Sequence, residues 1–211
     1  MPGRTAVMLT LVTSLAFLAL FPIRSAWTAP QAGEVLALSA QCFLEAGGER
    51  SALKIGDPVH EGDTVDVPAG SKLKLRMNDG TIISAASGTK LTINAYNLDS
   101  AAERRDAKLS LASGLLRAVV SSLGQASHFE VDTATGVAAV RSTDWFIEAL
   151  PTSTQVGVLS GSVSLTSIAT KSEVNIPARW GARLEAGRAP VPPRVWTQAE
   201  FDNVIARTSL N

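Results

Sequence analysis

From Phe129 to Val163 the chain reads FEVDTATGVAAVRSTDWFIEALPTSTQVGVLSGSV. Apolar and polar residues alternate in short runs, joined by corners marked by Gly or Thr. A period of two sends successive side chains to opposite faces, so each run is a half-buried strand. The same grammar holds from Gly33 onward. Gly33 to Leu38 and Cys42 to Leu44 precede a Gly47-Gly48 turn, and Gly56-Asp57 is echoed six residues later by Gly62-Asp63. At such corners Gly supplies positive φ and Asp accepts hydrogen bonds from downstream amides. Leu73, Leu75 and Met77 alternate with Lys72, Lys74 and Arg76, a strand with a basic outer face, and Asn78-Asp79-Gly80 then marks a hairpin. Ile82 to Ala85, Lys90 to Ala95, Leu109 to Leu111 and Leu115 to Val120 continue the pattern. Short strands with turn signals about every eight to twelve residues predict an all-β fold, a solenoid-like or twisted β-sandwich of many short strands.

Two segments depart from that grammar. Asn97 to Lys108 is polar, with Glu103-Arg104-Arg105-Asp106 at its centre; it reads as an exposed loop or a single helical turn, its basic pair solvated. At the C-terminus Pro190, Pro192 and Pro193 form a stiff linker, and Thr197-Gln198-Ala199-Glu200 is a capping box. Trp196, Phe201, Val204 and Ile205 fall near one face of the short C-terminal helix that follows, to about Arg207. It is expected to pack on the β-domain and close an edge or open end, with partner binding as the alternative.

The start of the chain has the anatomy of a secretory signal peptide. Arg4 precedes an uncharged apolar run from Ala6 to Phe21, and small or polar residues follow at Arg24, Ser25, Ala26, Thr28 and Ala29. An uncleaved anchor is the alternative, because the run is near the shortest length that spans a bilayer. The predicted organisation is a leader over 1–29, with its cleavage point open, a β-domain over 30–189, and the linker and helix over 190–211. Removing Arg4 and Arg24 from the 19 basic residues leaves 17 against 19 acidic ones, a net of −2. There is no broad basic field for nucleic acid. Cys42, the one cysteine, cannot form an internal disulfide and reads as a buried small hydrophobe, with intermolecular pairing as the alternative.

Several signals recur in an order that resembles the FecR-like periplasmic domain family, from about Gly33 to Leu184. Gly56-Asp57 and Gly62-Asp63 resemble the family's paired "GD" segment, Asn78-Asp79-Gly80-Thr81 its "DGS/DGT" hairpin, and Ser113-Gly114-Leu115-Leu116 its "G-x-L" strand start. Phe129 to Thr133 followed by Val137 to Arg141 resembles the central "F-x-V-x-T-P…V-A-x-V-R-G-T" motif, and Val158 to Val163 resembles "V-x-V-L-x-G-x-V". Ala134 stands where the family often has Pro, and Ser142 where Gly is usual. The resemblance implies an all-β domain with a non-enzymatic role at the cell envelope. The best-known members are membrane-spanning sigma-factor regulators with a cytoplasmic helical domain. Only five residues precede the apolar run here, so a stand-alone exported member is expected.

Arg141 follows the apolar run Val137 to Val140 and precedes Ser142-Thr143-Asp144, a strand corner. Its guanidinium is expected to tie down backbone carbonyls or a carboxylate such as Asp144, or else to face a ligand. Arg141, Thr143, Asp144 and Trp180 are therefore the candidate structural or binding residues. Trp145 and Trp196 read as core; Trp180, between Arg179 and Gly181, reads as either core or an exposed stacking surface. Asp57, Asp63, Asp66 and Asp79 lack calcium-loop spacing and read as turn residues. His60 and His128 belong to no metal motif, and no HExxH, G-x-S-x-G or P-loop is present. No catalytic residue, cofactor or metal is expected. The partner expected is an envelope protein. A polysaccharide, held by Trp180 and the Lys72, Lys74, Arg76 row, is the alternative, and a membrane is involved only if the leader stays.

Overall fold

The computed structural model describes residues 29–99, 101, 104–122, 124 and 127–210; the predicted leader falls at 1–28, outside them, apart from its last residue. Among the described residues, seventeen strands and one helix make up the fold. Two sheets face each other and share one strand, the 16-residue β9 (Arg104–Val119). The first sheet runs β4 (Pro58–His60), β1 (Gln31–Ser39), β6 (Lys72–Met77), β7 (Ile82–Ala85), β9, β12 (Asp144–Leu150), β13 (Ser153–Ser160), β16 (Trp180–Glu185) and β17 (Arg194–Val195). The second runs β3 (Glu49–Ala52), β2 (Phe43–Ala46), β5 (Thr64–Val67), β8 (Thr89–Asp99), β9, β10 (His128–Asp132), β11 (Gly136–Val140), β14 (Ser162–Ser167) and β15 (Glu173–Pro177). All pairings are antiparallel except β9 with β10. This is the twisted sandwich that the strand pattern and the family resemblance predict.

β9 is the spine. Everything before it lies on one side of it in both sheets, and everything after it on the other. Arg104 to Ser113 pair with β8 in the second sheet, while Gly114 to Val119 pair with β12 in the first. The crossing falls at Gly114, whose φ is +92° and where a Cβ would sit 2.4 Å from the Thr89 Cα, so no other residue fits. Beyond β9 the winding is regular. β10 and β11 lie in the second sheet, β12 and β13 in the first, β14 and β15 in the second, β16 and β17 in the first, each pair beside its predecessor.

Period-two alternation holds along β6, β10, β11 and β14 and breaks on β12 and β13, where consecutive residues are buried. Leu73, Leu75, Leu109, Leu111, Leu116, Phe129, Trp145, Ile147, Val156, Val163 and Leu165 point between the sheets and are buried with Cys42 in one core. Burial raises the Cys42 thiol's pKa, first by desolvation and then through the Asp66 charge, keeping it an inert hydrophobe.

The polar segment Asn97 to Lys108 departs from its expected form. β8 continues to Asp99, and β9 already begins at Arg104, paired Asp99 to Arg104 and Asn97 to Asp106. Arg105 is 0% exposed rather than solvated. Charge density alone hid a strand whose inward positions continue in step as Arg105, Ala107, Leu109 and Leu111.

The helix α1 (Gln198–Thr208) adds a third layer, on the outer face of the first sheet. Thr197 caps it, donating its amide to Glu200 Oε2 at 2.8 Å and accepting from the Glu200 amide at 3.3 Å. Hydrogen bonds from Arg194, then from Thr197, hold the Glu200 carboxyl down at about 2. At the other end Lys72 Nζ donates to the carbonyls of Ala206 (2.8 Å) and Ser209 (2.9 Å), closing the helix C-terminus. Beneath it Trp196, Phe201 and Val204 bury against Ala86, Leu115 and Phe146.

Trp196 lies in a slot cut by two glycines. Gly157 and Gly181 are cross-strand partners on β13 and β16. A Cβ on Gly181 would stand 2.0 Å from the indole Nε1, and one on Gly157 2.4 Å from its Cζ3. Gly181→Ala is therefore expected to expel the indole and destabilise the fold by about 1–3 kcal/mol. Urea denaturation should show the loss, together with a red-shifted tryptophan emission that Gly187→Ala, at an open turn, does not produce.

Candidate functional site

The corner between β11 and β12 carries Arg141, Ser142 and Thr143, and it is where the chain steps from the second sheet to the first. Opposite it lies the step between β13 and β14, at Gly161, whose φ is +83°. Thr143 is buried and donates its hydroxyl to the Ser162 carbonyl at 3.2 Å. A Cβ on Gly161 would lie 2.6 Å from the Ser142 carbonyl oxygen, so the two corners are locked face to face.

Beside this corner a groove of about 440 Å³ crosses the outer face of the second sheet. Its floor follows the strand register from Glu130 on β10 to Ala139 on β11, Ser164 on β14 and Asn175 on β15. His128, Arg141, Ser142 and Ser162 form its rim. The small Ala139 makes the depression, and hydroxyls, an amide, an imidazole and a guanidinium line it. Among the described residues neither Arg141 nor Glu130 has an oppositely charged group within 4.0 Å.

The corner is anchored from inside. Arg105 Nη2 donates to the Arg141 carbonyl at 3.0 Å, while its Nη1 donates to Asp79 Oδ2 at 2.5 Å and to the Ser121 carbonyl at 3.3 Å. Both side chains of this ion pair are 0% exposed. Asp79 also accepts from the Thr81 amide (2.9 Å), the Thr81 hydroxyl (2.8 Å), the Tyr96 hydroxyl (2.8 Å) and the Ser121 hydroxyl (3.1 Å). Burial alone would raise the Asp79 pKa; hydrogen bonds from Arg105, Thr81 and Tyr96 outweigh it and hold the carboxyl below the usual range. The Tyr96 hydroxyl is raised, by burial and then by the Asp79 charge. Asp79 thus does more than make its turn.

The four candidate residues are not one constellation. Arg141 and Thr143 share the groove corner. Asp144 points to the outer face of the first sheet, where Arg117 grips it through Nε (2.9 Å) and Nη2 (2.7 Å), leaving no pairing with Arg141. That hydrogen bonding raises the Arg117 pKa against the opposing effect of burial. Trp180 is 36% exposed on β16, opposite Val195. It stands five strand positions from β6, roughly 24 Å at ~4.8 Å per strand. Lys72 is spent on the helix terminus and Arg76 on Glu34, so Trp180 and the basic row form no common surface. Trp145 and Trp196 are buried, as expected. Asp57 and Asp63 are turn residues, but they accept from the amides of Lys54 and His60, each at 2.8 Å and three residues upstream, not from the downstream amides expected. Among the described residues no group of three or more His, Cys, Asp and Glu is placed to hold a metal ion, and no helix is long and apolar enough to cross a membrane.

Sequence reading missed Arg105 and Arg117. The signal for Arg105 was its place at an inward position of an alternating strand, two residues before Ala107 and four before Leu109.

Removing one partner of the buried pair strands the other. Asp79→Asn is expected to cost about 3–5 kcal/mol in chemical denaturation, and adding Arg105→Met to it less than the two single losses combined. Because the folded Asp79 pKa lies below its unfolded value, its contribution is complete above about pH 4 and is lost as pH falls through the lowered value. The acid limb of the stability profile should be shallower in Asp79→Asn.

Residues 63–164 match the family described as FecR protein. No curated protein matches the chain. Two crystal structures of a candidate anti-sigma factor from Parabacteroides distasonis ATCC 8503 share the fold, each with a TM-score of 0.54 at 14% identity over 66% of this chain. The alignment spans 62% of that protein's chain, under two thirds of its length. The matched span runs from the Asp63 corner through β9 and both locked steps to Ser164, and it holds both partners of the buried pair. The likeness to the FecR family thus rests on residues 63–164, just under half of the chain, and on a fold shared with a solved structure.

Proposed function

We propose that the protein is an exported, non-enzymatic signalling or scaffold module of the bacterial cell envelope, and that it docks a protein partner across the outer face of the second sheet. The observation that carries this reading is Arg141, an exposed guanidinium that has no carboxylate partner among the described residues and stands on a backbone that the buried Arg105 fixes. A charge presented on a rigid corner loses little freedom on binding. It favours a partner segment that brings a carboxylate to the groove, with Ser142, Ser162 and Asn175 supplying hydrogen bonds beside it. The leader over 1–29, the β-domain over 30–189 and the appended linker and helix over 190–211 belong to the same proposal. The match to the FecR family agrees with a regulatory rather than catalytic role, and the anti-sigma description belongs to the structural relative.

The polysaccharide alternative, using Trp180 and polar rows such as Lys72, Lys74 and Arg76, draws no support from this pair of features, which stand apart on the sheet.

Photo-crosslinking in intact cells tests the proposal. A benzophenone side chain at Ser142 or Asn175 should trap one discrete protein adduct, absent when the probe stands at Arg183 on the other sheet. Arg141→Glu should weaken the adduct at least tenfold while leaving the melting temperature within a few degrees. Equal adducts at both faces, or an adduct indifferent to Arg141→Glu, would contradict it.

A further inference from the structure

β15 is the last strand of the second sheet, and among the described residues no strand pairs with its far side. The bond from the Ser167 amide to the Ser172 carbonyl (2.9 Å) sets its phase. Antiparallel pairing alternates, so Ser172, Val174 and Ile176 turn their backbone groups to β14. Glu173 and Asn175 each turn an amide and a carbonyl to the open side, and Pro177 turns a carbonyl. The other sheet edges are shorter. β3 has four residues and β4 three, and β17 has two, preceded by Pro192 and Pro193.

The first sheet reaches further. β15 packs over β13 and β16, which leaves β17 as an overhang. On β16 Ala182 and Leu184 point into the core, Trp180 shares their phase, and Val195 is its cross-strand partner. Both therefore face the side on which the second sheet lies, yet Trp180 is 36% exposed and Val195 59%. The second sheet stops short of them, so open backbone groups along β15 and an uncovered apolar face under β17 meet in one notch. We propose that this notch receives an extended segment of a partner protein, which adds a strand to β15. Its backbone bonds to Glu173 and Asn175, and its alternate side chains are apolar and cover Trp180 and Val195. A second copy of this chain brings an overhang of its own to the same place, so a lone strand fits and another sheet edge does not. The inference does not rest on the Arg141 reading, because neither the edge nor the overhang includes that side chain.

Random dodecapeptides displayed on phage and selected on the purified protein supply the probe. Recovered peptides should alternate apolar and polar residues. Added to the parent protein, the synthetic peptide should saturate at one site and slow amide exchange at Glu173 and Asn175, a readout that needs no variant. Asn175→Pro removes an amide turned away from β14, and Val195→Asp puts a charge under the overhang. Each should weaken the peptide at least tenfold, and melting curves would show that each variant is folded. Arg141→Glu should leave its affinity unchanged, which separates this site from the groove. No saturable peptide, exchange unchanged at both amides, or affinity unchanged in both folded variants would overturn the proposal.

Discussion

A single buried guanidinium holds the two halves of this sandwich in register. Arg105 sits on the spine strand β9, and from there it reaches the β6–β7 turn through Asp79, the chain after β9 through Ser121, and the β11–β12 corner through the Arg141 carbonyl. Those three segments come from both sides of β9. An ion pair in the interior is a poor source of net stability, because desolvating two charges offsets most of their attraction. Its effect is selective. Asp79 takes five donors besides defining its own turn, and any register that moved one of the three segments would leave a buried charge unmet.

From this tie follows the stiffness of the groove corner. The Arg141 backbone is held from within by Arg105, and its neighbour Thr143 is held from the side by the Ser162 carbonyl. The side chain of Arg141 is left outside, on an anchored backbone. The family motifs therefore mark hydrogen-bond nodes more than surface chemistry. Asp79 and Thr81 of the "DGT" turn face the buried arginine. Thr133 of the "F-x-V-x-T" stretch closes the β10–β11 turn by accepting from the Gly136 amide at 3.1 Å and meets the Thr154 hydroxyl at 2.7 Å. Thr143 of the "V-R-S-T" corner locks the step between sheets. Ser142, where the family usually has glycine, is accommodated as an exposed residue at that corner.

Much of the architecture was legible because alternation reports burial directly. Leu73, Leu75 and Met77, or Phe129 and Val131, declare their inward face without further information, and Thr197 with Glu200 declares the start of α1. The function-bearing details were less legible. Arg105 lay in a run of four charged residues, where composition points to solvent, and only strand phase with Ala107 and Leu109 points inward. Asp144 looked like a partner for Arg141 because they are close in sequence. Yet the chain changes sheets between them, so Asp144 faces Arg117 instead. Around Gly157 and Gly181 nothing local shows that Trp196 will lie across both. In each case the missing information was a contact between distant segments.

The most direct measurement of the central claim is residue-resolved amide hydrogen exchange in Arg105→Met, compared with the parent protein. If Arg105 ties the three segments, protection should fall selectively at Met77, whose amide bonds to Thr81, at Val120, whose amide bonds to Thr143, and at Ser121. The amides of β5 with β8 and of β14 with β15 should keep their parent rates relative to global stability. A uniform loss across both sheets, or unchanged protection at those three amides, would contradict the account.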